Sequence, residues 1–548
     1  YVNGSKIWGY SYDANGNLIS VLDKDGNKTD YAYDKTNRMT QETSGGVKKD
    51  YSYDPNDNLT SVKLTVGTTN ISTDYIYNSL NQLISMSRNG NNQAKLVYDE
   101  RGNVTSVKRA NNAYTALQYD DNNRLSELKN YKKDGNILNT FKYSYDSNSN
   151  QTSISTDKGT VSYEYDSLNQ LTKETLVDGT IISYEYDSVG NRIKKTVTKD
   201  SKTTTTNYTY NAGNELTNVN GQAYTHDLNG NLTNNGDKTY VYNEENQLIE
   251  VKDKAGTSLS KFTYDHDGKR TSMTTSAGTT HFHYNGDQVI AESDDNNNIV
   301  AEYSWDNEGN PVTMTKGGKV YYYHLNGHKD VTALTDESGN VVAEYQYDAW
   351  GNIISQTGEM AKSNPYRYAS YRYDDSTSLY YLMARYYDPS IGRFITQDTF
   401  EGFEDNTSSL NKYLYTQNNP VMYIDPDGHY ITVVLQALVF GAWNAYPVFK
   451  KYYKAHGYRV RSITAGEWSR IAGAFIVGAF TRGMGLKIAS ITKTFGMKWY
   501  TSLIAKANWG IKSYFLNNAS KGLNPLTVAK KTYYSVKDQV YKAYKRLK

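Results

Sequence analysis

After Tyr430 the chain holds one histidine, one glutamate and one aspartate: His456, Glu467 and Asp538. That poverty limits the chemistry this segment can carry. A carboxylate-rich two-metal nuclease needs several acidic ligands and is disfavoured. Metal-free cleavage of RNA needs less, because the ribose hydroxyl beside each phosphate is itself the nucleophile; one base, one acid and cationic stabilisers suffice. His456 is the candidate acid or base, with Glu467 as a second candidate catalytic group. The alternation in "YRVRSI" at 458–463 reads as a strand with Arg459 and Arg461 on one face, where they would hold phosphates. Plainer readings stand beside these. His456 can be a packing or surface residue, and Glu467, three residues after Thr464, completes a capping box ahead of the apolar helix that "TAGEWSRIAGAFIVGAF" predicts.

The stretch "NNPVMYIDPDGHY" at 418–430 divides two chemically different bodies. Residues 430–548 carry 20 basic and 2 acidic side chains, net +18, whereas the residues before them carry 40 and 56, net −16. The formal total of +2 hides this split. Such asymmetry suits an acidic carrier and a basic part directed at a polyanion or an acidic surface. A rival reading of the basic part is membrane activity, since "ITVVLQALVFGAW" and "IAGAFIVGAF" are apolar runs flanked by lysines. No uninterrupted run reaches the roughly 18 residues of a single span, which leaves interfacial or oligomeric insertion. Cysteine is absent, so neither disulfides nor thiolate metal sites are available, and packing and strand pairing must supply stability. Tyr1 opens the chain inside a repeat, as expected of the C-terminal part of something longer.

The acidic body is periodic. "YSYDANGNLISV" from Tyr10, "YSYDPNDNLTSV" from Tyr51, "YEYDSLNQLTKE" from Tyr163 and "YEYDSVGNRIKK" from Tyr184 share the form aromatic-x-aromatic-Asp-x-x-Gly/Asn-Asn/Gln-apolar. The second aromatic falls at Tyr12, Tyr33, Tyr53, Tyr77, Tyr98, Tyr119, Tyr145, Tyr165, Tyr186 and Tyr210, about every 21 residues, which marks a repeat architecture. Alternation on both sides of Asp-x-x-Gly/Asn predicts a β-hairpin whose Asp opens the turn and whose Gly or Asn supplies positive φ. One hairpin is marginal alone, so the series must pair edge to edge into a long twisted sheet with aromatic rows along one face. Between Gly278 and Tyr345 the period is less regular. "DKDGN" at 23–27 and "DHDGK" at 265–269 look like pieces of calcium loops, but neither has a distal bidentate Glu at the required offset, so both read as turns.

These hairpins, followed by "LYYLMARYYDPSIGRFITQD" at 379–398 and "NKYLYTQNNPVMYIDPDG" at 411–428, resemble the YD-repeat/Rhs family of polymorphic toxins. They resemble in particular the C-terminal part of the wall-associated, contact-dependent toxins of Gram-positive bacteria, of the tRNA nuclease type. The resemblance covers residues 1–428 and stops there. It implies a mainly β chain: a YD-repeat hairpin spiral forming a hollow shell over 1–357, an Rhs-associated core over 358–428 that caps it, and a small α or α+β toxin domain over 429–548. It implies secretion to the cell wall, delivery of the toxin past the target-cell envelope into the cytoplasm, RNA, and transfer RNA in particular, as substrate, and a cognate immunity protein. Facing a +18 domain, that protein is expected to be acidic. No cofactor or metal is expected. A purely structural wall adhesin is the third alternative, and it leaves the basic domain without a role.

The resemblance also assigns chemistry to the boundary. In the family an Arg, an Asp thirteen residues later and the Asp of a DPxG element form an intramolecular aspartyl protease. By position these are Arg385, Asp398 and Asp425. Two carboxylates brought close cannot both ionise, so one would keep a proton for the scissile carbonyl while the other activates water, with the guanidinium orienting them. Outside the resemblance, Asp-Pro and Asp-x-Gly are simply turn formers. Large apolar residues are usual after the Gly in this family; here His429 and Tyr430 follow it, and His429 becomes an additional candidate acid or base.

Overall fold

The repeat folds as a strand that ends in Tyr-Asp, a tight turn and a returning strand. In the computed structural model, which describes residues 7–399 and 410–429 together with the backbone of a last short strand, Thr432–Val433, this unit recurs along the wall. Thus Lys28–Tyr33 returns as Met39–Ser44, Val47–Tyr53 as Leu59–Val66, and Ile181–Tyr186 as Arg192–Lys199. The Asp builds its own turn. Asp54 Oδ1 accepts the backbone N–H groups of Asn56 and Asn58, and its Oδ2 accepts the Asn58 side-chain amide at 2.8 Å. Three residues after the Asp, the backbone is left-handed, at φ 62° for Asn37 and 82° for Gly190, where a residue other than Gly or Asn costs roughly 1–2 kcal/mol. Asp23 in "DKDGN" is committed in the same way, accepting from Asp25 and Asn27.

The second tyrosine does more than pack. Its hydroxyl donates to a backbone carbonyl at the start of the returning strand of the preceding hairpin: Tyr33 to Leu18 at 2.9 Å, Tyr53 to Met39 at 2.9 Å, Tyr186 to Leu171 at 2.7 Å and Tyr210 to Arg192 at 2.8 Å. Each repeat is therefore bonded to its predecessor by side chain as well as by ladder. In each hairpin the register slips by one residue just before that tyrosine, for example between Ala32 and Tyr33 and between Glu185 and Tyr186.

Consecutive strands pair antiparallel from Trp8–Tyr12 to Gln222–Ala223 in a 21-stranded sheet, and from Thr225–His226 to Ile353–Thr357 in a 14-stranded one; the ladder breaks at Tyr224. The second run lies along the first. Arg88 meets Glu302 at 2.9 Å, Gln93 meets Thr313 at 2.8 Å, the Tyr143 hydroxyl accepts the Gly327 N–H at 2.7 Å, and Glu174 accepts the Ala349 N–H at 2.9 Å. Both partners advance together along the chain, which is the geometry of a spiral. The stretch from Gly278 to Tyr345 forms regular hairpins after all. Its pattern is blurred because Gln288–Ser293 and Pro311–Lys316 are buried along most of their length, packed between Val62, Leu64 and Ile71 of the first run and Met360 and Tyr366 beyond the second.

After Thr357 the chain leaves the wall and forms a four-stranded sheet, Arg372–Asp374, Leu379–Leu382, Arg385–Asp388 and Arg393–Phe394. Tyr368, Tyr380, Tyr387 and Tyr415 pack there with Trp350 and Phe394, all buried. Buried ion pairs dock this sheet on the wall: Arg270 to Asp374 at 2.5 and 3.1 Å, and Arg372 to Glu292 at 2.5 Å. The segment that follows crosses the turn tips of successive repeats. Asn411 reaches Asn191, Asn418 the Gly190 carbonyl, Asn419 the Asn169 carbonyl and Tyr413 the Gly230 carbonyl. Residues after Thr357 thus cap the hairpin spiral.

Candidate active site

Three short elements of the cap deliver one side chain each. Arg385 opens the strand Arg385–Asp388 after a reversal in which Met383 sits at φ 61°. Asp398 follows the strand Arg393–Phe394, and its N–H donates to the Lys412 carbonyl at 2.9 Å. Asp425 follows the strand Tyr423–Ile424, and its N–H donates to the Tyr371 hydroxyl at 2.6 Å. The two carboxylates converge on a single nitrogen: Arg385 Nη2 lies 2.8 Å from Asp398 Oδ2 and 3.3 Å from Asp425 Oδ2. The rest of the guanidinium is equally committed. Nη1 donates to the Lys412 carbonyl at 3.0 Å, Nε donates to the Gly428 carbonyl, and the plane stacks 3.6 Å above the Phe394 ring.

Gly428 is required where it stands. It takes φ 77°, and a Cβ there would lie 2.5 Å from the Leu382 carbonyl oxygen and 2.9 Å from the Arg385 nitrogen. Only a backbone without a side chain brings this carbonyl so close to Arg385. On the other side His429 Nδ1 lies 3.0 Å from Asp398 Oδ1, so His429 joins the cluster instead of leaving it.

Burial pushes the Asp425 carboxyl up to about 7, against the opposing pull of Arg385 and with further upward pushes from the charges of Asp427 and Asp398. Near neutral pH it is therefore protonated in a large fraction of molecules, while Asp398 faces both a guanidinium and an imidazole. A protonated carboxyl, a second carboxylate and a cation already bonded to a peptide carbonyl are the parts of acid–base hydrolysis with electrostatic support for the developing oxyanion.

Thus the structure brings together Arg385, Asp398 and Asp425, which stand 13 and then 27 residues apart along the chain. It adds Tyr371, the Lys412 carbonyl and the Gly428 carbonyl, none of which the sequence reading included; the glycine of DPDG was the one available signal. His456, Arg459, Arg461 and Glu467 lie outside the described residues.

An antiparallel hairpin spiral closed by a tyrosine-lined cap defines a YD-repeat shell. The chain belongs to the teneurin YD-shell family, whose profile matches residues 140–421, and the RHS repeat profile matches 12–46 and 98–131. Among curated proteins it is 39% identical over 286 residues to the tRNA3(Ser)-specific nuclease WapA of Bacillus spizizenii, covering 52% of this chain and 12% of that one. It is 37% identical over 342 residues to the tRNA(Glu)-specific nuclease WapA of Bacillus subtilis subsp. natto, covering 62% and 14%. The chain thus spans about one eighth of the length of these relatives. In fold it is similar to the TcdB2-TccC3 complex (TM-score 0.56, 20% identity, 76% of this chain and 24% of that one). It is likewise similar to the Tc holotoxin pore of Photorhabdus luminescens (TM-score 0.55, 17% identity, 79% and 28%).

Proposed function

We propose that this chain is the business end of a secreted, wall-associated toxin used in contact between bacteria, in which a YD-repeat shell carries a basic C-terminal domain and cuts it free. Residues 1–357 are the wall, 358–428 the cap and protease, and 429–548 the cargo. The observation that carries the reading is the meeting of Asp398 and Asp425 on one nitrogen of Arg385 while the same guanidinium holds the Gly428 carbonyl, at the point where the charge of the chain reverses. In the proposed reaction Asp398 takes a proton from water, the water oxygen bonds to a peptide carbonyl carbon within 428–430, the C–N bond breaks, and Asp425 supplies the proton to the leaving nitrogen. Arg385 supports the oxyanion, as it supports the Gly428 carbonyl in the resting chain.

The likeness to WapA nucleases favours tRNA as the target of the released domain, with His456 as acid or base, Glu467 as a second catalytic candidate, and Arg459 and Arg461 on the phosphates. A cargo of net +18 attracts phosphates irrespective of sequence and calls for an acidic immunity protein in the producing cell. Intact-mass analysis of the purified chain should find a cut within 428–430, absent from Asp398→Asn and Asp425→Asn. Residues 430–548 induced in bacteria should degrade tRNA, and in EDTA the purified domain should lose cleavage on His456→Ala while retaining RNA binding. Processing of both aspartate variants like the parent would remove the protease; depolarisation with intact RNA would replace the nuclease by a membrane-active cargo.

A further inference from the structure

Two cap segments, one carrying Asp398 and the other the Lys412 carbonyl, meet on a single side chain of the wall. Asn191 closes the turn "YDSVGN" and is buried at 2% exposure. Its amide nitrogen serves the wall, donating to Asp187 Oδ2 and to Asn214 Oδ1 of the next repeat, both at 2.9 Å. Its oxygen serves the cap and accepts twice, from Arg393 Nη1 at 2.9 Å and from the Asn411 amide at 2.7 Å. A guanidinium only donates, so the atom facing Arg393 is the oxygen. Both donors adjoin the site. Arg393 precedes Phe394, on whose ring the Arg385 guanidinium stacks, and stands five residues before Asp398. Asn411 precedes Lys412, whose carbonyl accepts from the Asp398 N–H and from Arg385 Nη1. The repeat motif does not require these contacts. Asn103 closes "YDERGN" in the same way, donating to Asp99 at 2.9 Å and to Asn123 at 2.6 Å, and among the described residues it bonds no part of the cap.

We propose that Asn191 is a positioning residue for self-cleavage: its one oxygen fixes the segments 393–398 and 411–414 relative to each other and so sets Asp398 and the Lys412 carbonyl against Arg385. The inference rests on the self-cleavage reading above and adds to it a residue of the wall. Neighbouring wall groups hold one segment each. The Leu232 N–H donates to the Ile395 carbonyl at 2.9 Å, and the Gly230 carbonyl accepts the Tyr413 hydroxyl at 2.7 Å. Asn191 holds both. Arg393 is not free to seek another acceptor, since its Nη2 donates to the Asn214 carbonyl at 2.6 Å and its guanidinium lies 4.6 Å from the Tyr210 ring and 5.1 Å from the Tyr413 ring. The side chain is buried, so removing the Asn191 oxygen leaves part of a guanidinium unpaired away from water, and the segment must shift to relieve it. The site is complete only when the cap is seated on this repeat, so the cut follows capping.

The test uses the full chain made by cell-free translation, with cleavage followed on gels and protease resistance of the wall verifying folding in each variant. Asn191→Ala should slow cutting roughly ten- to hundredfold, the effect of displacing a reacting group by about an ångström. Asn103→Ala breaks the same kind of turn and the same asparagine pairing far from the cap, and should cut within about twofold of the parent. Asn411→Ala leaves the wall intact and should also slow cutting, while adding it to Asn191→Ala should slow it little further, because both remove one contact. In the uncut Asp425→Asn chain, hydrogen exchange across 393–398 should quicken with Asn191→Ala and stay unchanged with Asn103→Ala. Parent-like cutting by Asn191→Ala, or equal slowing by Asn103→Ala, would overturn this inference alone. If Asn191→Ala loses its protease resistance, Asn411→Ala decides, and parent-like cutting there overturns the inference. A parent that never cuts, or a cut that survives both aspartate substitutions, would sink the self-cleavage reading and the role of Asn191 with it.

Discussion

Alkaline pH should switch off self-cleavage through Asp425. The carboxyl is buried, and burial holds it at about 7 in place of the ordinary 3.8. If it acts as the proton donor, the active fraction is about one half at pH 7 and about one hundredth at pH 9, so the cutting rate should fall roughly tenfold per unit above neutrality. The same shift has a sign in stability. A folded-state pKa above the unfolded value means that the contribution is fully present below about 4 and is lost as pH rises through about 7. Three units correspond to about 4 kcal/mol, at 1.36 kcal/mol per unit. The rate can be read on chain from cell-free translation. Stability can be read by denaturant titration of uncut Asp398→Asn chain between pH 4 and 8. Removing the Asp398 charge relaxes one of the smaller upward pushes, so the step should shrink there but keep its direction, and adding Asp425→Asn should flatten it. A cutting rate that is level or rising from pH 6 to 9 would refute Asp425 as the donor.

The docking of cap on wall should depend on its buried charges. Arg270→Met alone leaves Asp374 charged and buried and should cost about 3–5 kcal/mol in denaturant titration, whereas Arg270→Met with Asp374→Leu should recover most of that loss. In the wall, Tyr186→Phe keeps the ring but orphans the Leu171 carbonyl and should cost about 1–3 kcal/mol. Tyr12→Phe, at an exposed ring, should stay within about 0.5 kcal/mol of the parent in the same assay.

The wall was legible in the sequence because its information is local. An Asp that bonds amides two and four residues ahead, and a Gly or Asn that takes positive φ, act within one turn, so their spacing betrays them in any repeat. The charge reversal after His429 was legible for the same reason, being a matter of counting. Tertiary structure decided what lies between distant residues. The second aromatic is so regularly a tyrosine because its hydroxyl bonds the preceding hairpin, roughly one repeat away, a partner no local pattern names. The irregular stretch from Gly278 to Tyr345 could not announce its register, because burial between two layers removes the polar alternation by which strands are read. The candidate site shows the limit most sharply. Family likeness named Arg385, Asp398 and Asp425, but spacing says nothing about a shared nitrogen or about the Gly428 carbonyl on the same guanidinium. A carboxyl becomes an acid at neutral pH through the solvent it loses and the charges it meets, and both are properties of the folded chain.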